Sequence, residues 1–140
     1  MDVDITVDRH KLDEQLEAIP GDVLSWSRQA AMQVEALQRA ENNLKLVEAR
    51  LSIAIRQNPL NYGFAKVTED LVKAIILTEP EYVEALDRVA EARAELTATR
   101  GVVDALEIKR SSLKYLAELT VAGYLGSMSV NPRNPSGVKS

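Results

Sequence analysis

At 140 residues the chain is one domain's worth of sequence, and the absence of cysteine excludes both a disulfide framework and a thiolate metal site. Apolar residues make up 46% but aromatics only 4%, and an Ala-, Leu-, Glu- and Arg-rich composition favours elongated helices over a thick globular centre. The net charge is −4, no apolar run is long enough for a membrane span, and the acidic start Met1-Asp2-Val3-Asp4 lacks the basic-then-apolar lead of a signal peptide, so a cytoplasmic protein is expected.

A short N-terminal helix is predicted to begin near Asp8, with Leu12, Leu16 and Ile19 on one face at spacings of four and three. Pro20-Gly21 is its expected end, because Pro removes a donor and Gly tolerates a terminating conformation. The first long helix is then predicted from Asp22 to Gln57. Within it Ala30, Leu37, Leu44 and Leu51 recur every seventh residue, and Ala40, Val47 and Ala54 fill the alternate seam position. Glu35/Arg39 and Glu41/Lys45 are pairs four apart that mark an exposed face, each stabilising by about 0.2–0.5 kcal/mol. Asn58-Pro59-Leu60-Asn61-Tyr62-Gly63 breaks the pattern.

Thr68 before Glu69 and Asp70 predicts a further helix start, with acids at the positive end of the dipole. Thr78-Glu79-Pro80-Glu81 predicts another: Thr78 as cap, Glu81 three residues on, and Pro80 in the first turn. The second long helix should run from there to about Ala122, with Tyr82, Val89, Leu96 and Val103 on its seam. Beyond Gly123 the sequence becomes Gly-, Ser-, Asn- and Pro-rich.

The expected fold is all-α, a long antiparallel helical hairpin of coiled-coil character with a short N-terminal helix. Residues 1–125 form a single helical domain and residues 126–140 a disordered tail. Val23, Leu24, Trp26, Met32, Val34, Leu46, Ile53 and Ile55 lie wholly or partly off the first seam, as do Leu86, Ile108 and Leu116 off the second. Two helices cannot bury them all, so an oligomer of hairpins is expected.

No catalytic constellation, phosphate loop or metalloprotease motif is present. His10, the single histidine, sits in a charged stretch and reads as solvated. Glu81/Glu84 and Glu91/Glu95 share faces that a divalent ion could use, but alternate with bases as an exposed surface does. The chain is therefore read as a non-enzyme with no catalytic residues, no metal ligands and no cofactor.

Charge is unevenly spread. Residues 1–48 carry five Lys/Arg against ten Asp/Glu, whereas residues 49–73 carry four against two and residues 101–140 five against three. Around the hinge Tyr62 and Phe64 stand beside Arg56 and Lys66, with Arg50 two turns earlier. Flat rings beside cations suit single-stranded nucleic acid, with stacking contributing about 1–3 kcal/mol per base. The alternative is that both rings pack the turn onto the helix ends.

Val47-Glu48-Ala49-Arg50-Leu51 ends the first long helix much as an "ARL" segment does in the UvsY recombination mediators of T-even phages. Val67-Thr68-Glu69 and the basic run Ile108-Lys109-Arg110-Ser111-Ser112-Leu113-Lys114-Tyr115-Leu116 also resemble that family, as do chain length, helix order and hinge position. The resemblance implies a phage-encoded homo-oligomer that binds single-stranded DNA. It helps load a RecA-like recombinase onto DNA coated by single-strand-binding protein. In that family a Lys and an Arg of a "KARL" segment contribute to DNA binding; here Arg50 matches the Arg, but the Lys position is Glu48, which leaves Arg56 or Lys66 to compensate. The candidate nucleic-acid-binding residues are Arg50, Arg56, Tyr62, Phe64, Lys66, Lys73, Lys109, Arg110 and Lys114. The competing reading is a coiled-coil scaffold, adaptor or chaperone whose apolar stripes engage a protein partner.

Overall fold

The computed structural model describes residues 11–129 together with Ile5 and Val7, with side chains described as far as Gly123. These residues are helical almost throughout and contain no strand: α1 spans Leu12–Gln57, a 3-10 turn spans Pro59–Tyr62, α2 spans Glu69–Thr78 and α3 spans Pro80–Ser129. None of these helices is long and apolar enough to cross a membrane. The expected helix start near Asp8, the solvated reading of His10 and the tail from residue 130 onward lie outside the described residues.

α1 departs from expectation by running through Pro20-Gly21, so Leu12, Leu16 and Ile19 belong to the long helix and not to a shorter one that ends there. An interior proline costs a helix about 3 kcal/mol. Here Ile19 is buried to 1% exposure, while Leu16, Val23 and Trp26 are half-buried on the same side. Burial of a large aliphatic side chain contributes about 1.5–3 kcal/mol, so this stripe offsets the penalty. Pro20 itself is exposed, where water can take the hydrogen bond that the Leu16 carbonyl loses. Acidic Asp13 and Glu14 in the first turn and Arg56 in the last turn complement the helix dipole.

The connection after α1 is built by its turn residues. Asn61 and Gly63 donate their backbone N–H groups to the carbonyls of Asn58 and Leu60, each at 3.1 Å, and Phe64 donates to Pro59 at 3.1 Å. Gly63 holds φ +88°, the left-handed conformation that a side chain disfavours. Thr68 then caps α2, its hydroxyl oxygen accepting from the Leu71 N–H at 3.3 Å, with Glu69 and Asp70 in the first turn.

Thr78 does not cap the next helix as its sequence context predicts. It still belongs to the last turn of α2, and its hydroxyl donates to the Ile75 carbonyl at 2.8 Å. The break is the single extended residue Glu79, after which Pro80 opens α3 in the position where its missing N–H is harmless. At the other end α3 continues to Ser129, past the expected stop near Ala122 and across residues 126–129 that composition assigns to the tail.

The chain divides into two compact units, Arg28–Arg100 and the combination of Met1–Ser27 with Gly101–Ser140. The core of the first gathers Val47, Leu51 and Ile55 of α1, Val72, Ile75 and Ile76 of α2 and Ala85 of α3, with Leu44, Tyr62, Val67, Leu71 and Tyr82 packed against it. Val89, Leu96 and Thr99 continue the buried line along α3. In the second unit Ile19, Leu106 and Leu113 are the fully buried side chains among the described residues. Of the seam residues Val47, Leu51, Val89 and Leu96 are buried and the others half-buried, and Ile55, expected off the seam, joins the core.

Candidate nucleic-acid interface

The residues singled out by sequence fall in both units. Arg50, Arg56, Tyr62, Phe64, Lys66 and Lys73 belong to Arg28–Arg100, and Lys109, Arg110 and Lys114 to the other unit.

In Arg28–Arg100, α1 and α2 flank an open groove lined by Lys45, Ser52, Arg56 and Lys73 together with the carboxylates Glu48 and Glu69. Spacing explains the α1 contribution, because positions 45, 49, 52 and 56 recur at four, three and four and so share a face. Arg56 is held in place: its guanidinium donates to Glu69 at 2.5 Å and to the Ser52 hydroxyl at 3.2 Å. Arg50 is also engaged, in an ion pair with Glu81 at the start of α3. Lys45, Lys66 and Lys73 differ, being exposed and making no ion pair among the described residues.

The two rings have different surroundings. Tyr62 is half-buried against the core cluster, which matches the packing alternative for that residue. Phe64 is 37% exposed. Both line a second groove with Leu71, Ala74, Ile75 and Thr78 on α2, so part of the Phe64 ring remains open to a flat partner.

In the other unit Lys109 is withdrawn from solvent, only 7% exposed. Its position three after Leu106 and four before Leu113 places it on the buried stripe, so it is not part of an accessible basic surface. Arg110 is exposed and pairs with Glu107 at 2.8 Å, and Lys114 is exposed beside Leu16. Arg110 and Lys114 line one groove with Leu16 and Ser111, and burial sets Lys109 apart from them.

Lys45 is the residue that sequence reasoning missed. The expected Glu41/Lys45 pair does not form; Glu41 instead accepts from Arg93 of α3 at 3.4 Å, which leaves the Lys45 ammonium free at the groove. The Glu35/Arg39 pair forms as expected. Among the carboxylates considered for a metal, Glu81 and Glu84 are engaged by Arg50 and Arg88. No group of three or more potential metal-ligating side chains occurs among the described residues.

No protein-family model matches the chain, and no curated protein or solved structure matches it.

Proposed function

We propose that this chain is a non-enzymatic, oligomeric single-stranded-DNA-binding protein that assists loading of a RecA-like recombinase onto DNA coated by single-strand-binding protein. The observation that carries the DNA-binding part is the set of exposed, unpaired ammonium groups at Lys45, Lys66 and Lys73 in the unit that also offers the Phe64 ring. Phosphates need free cations and bases need a flat face. Arg56 can join them, because its exposed ion pair contributes no more than about 1 kcal/mol and a phosphate can replace the carboxylate. The recombinase-loading role comes from the resemblance to the UvsY mediators.

The proposed architecture is an antiparallel hairpin of α1 and α3 in Arg28–Arg100. Its support is the pairing of Glu41 with Arg93 and Arg50 with Glu81, in which α3 positions fall as α1 positions rise. Self-association is supported by large apolar side chains left in solvent, among them Met32, Leu46, Ile53 and Leu86. The same exposed side chains favour the second reading, a scaffold or adaptor that engages a protein partner.

Replacing Lys45, Lys66 and Lys73 together by Ala separates the two. Removing three phosphate contacts from a single-strand binder should lower affinity about a hundredfold at about 0.1 M salt and flatten the salt dependence by about two in log–log slope. Unchanged binding by the triple variant would refute the proposed site.

A further inference from the structure

The outward face of α1 carries a second heptad line. Met32, Leu46 and Ile53 each stand two residues after a position of the buried seam, about 200° round the helix. They are 65%, 68% and 57% exposed, although they are among the most apolar side chains in the helix. Ala36 and Asn43 lie on the same stripe, four residues after positions 32 and 39, and both are exposed.

We infer that this stripe is a self-association surface on which α1 packs antiparallel against α1 of a second copy, about a two-fold axis between Asn42 and Asn43. The inference rests on the reading of the chain as an oligomer and names the surface that makes it one. Its basis is self-complementarity. About that axis Met32 faces Ile53 of the second copy, and the aliphatic stem of Arg39 covers Leu46. Glu35 meets Arg50 of the second copy, acid against base. Asn42, whose Oδ1 accepts from Gln38 Nε2 at 3.1 Å within the helix, and Asn43 oppose each other at the centre, where their remaining amide groups hydrogen-bond and fix the register. A parallel pairing of the same stripe would set Arg39 on Arg39 and Arg50 on Arg50, like charge on like. The Glu35–Arg39 and Arg50–Glu81 pairs within one chain are solvent-exposed, so their exchange for contacts across the axis is no obstacle. An isologous contact of this kind closes as a dimer, leaving other faces free.

The chain has no cysteine, so Asn43→Cys and Leu86→Cys each introduce a single thiol at an exposed position, one on the stripe and one on α3. Treated with a short bis-maleimide, the full-length N43C variant should give a covalent dimer and L86C should not. In sedimentation equilibrium Leu46→Glu should raise the dimer dissociation constant about a hundredfold or more, with helical circular dichroism unchanged. Linkage through residue 86 alone, or an assembly that persists while residue 43 stays unlinked, would overturn the face and leave self-association standing. A monomer throughout the micromolar range would overturn both.

Discussion

Replacing Gly21 by Ala distinguishes an unbroken α1 from a helix that stops at Pro20-Gly21, because the two arrangements predict opposite signs. Within an unbroken helix Gly21 is an interior position, and a Cβ built there meets no atom within 4 Å. Glycine in a helix interior is less favourable than alanine by about 0.5–1 kcal/mol, since it loses more backbone freedom on folding. G21A should therefore stabilise by about that amount, with no steric loss to subtract. For a chain of this size 1 kcal/mol corresponds to about 2–4 °C in Tm. The assay is paired thermal and urea unfolding followed by circular dichroism at 222 nm. Protein concentration must be matched, because self-association makes apparent stability depend on it. If Gly21 instead ended a helix in the left-handed conformation, alanine would destabilise by about 1–2 kcal/mol. A fall in stability would refute the continuous helix.

The same substitution at Gly63 should have the opposite sign. Its φ of +88° is unfavourable to a side chain although a Cβ there meets nothing, so G63A should destabilise by about 1–2 kcal/mol in urea unfolding. Leu106→Ala removes a fully buried side chain from the Gly101–Ser140 segment and should lower unfolding free energy by about 2–5 kcal/mol. Thr68→Ala removes the α2 cap and should lower stability by about 1 kcal/mol, with protection of the amides in the first turn of α2 reduced in hydrogen exchange.

Heptad spacing made the buried seams legible: Val47, Leu51, Val89 and Leu96 are all where the period puts them. The Thr68 start of α2 was equally legible, because a cap and two acids are local signals. The continuation of α1 through Pro20 was not, because the local penalty is overridden by burial of Ile19, a tertiary effect. Thr78 misled for a related reason: a hydroxyl that can cap the next helix can also bond back to its own, and the donor to Ile75 won. Lys45 was hidden by a partner four residues away that prefers Arg93 across the fold. The burial of Lys109 was readable from its spacing to Leu106 and Leu113, yet the run of basic neighbours drew attention to charge instead of period.

The central claim is binding to single-stranded DNA through free cations and an exposed ring. Its most direct test is fluorescence anisotropy with a labelled single-stranded oligonucleotide beside a matched duplex, titrated at low and high salt. The account predicts tighter binding to the single strand, with affinity falling steeply as salt rises. No binding at low salt while the protein remains associated would contradict it and turn the search to protein partners.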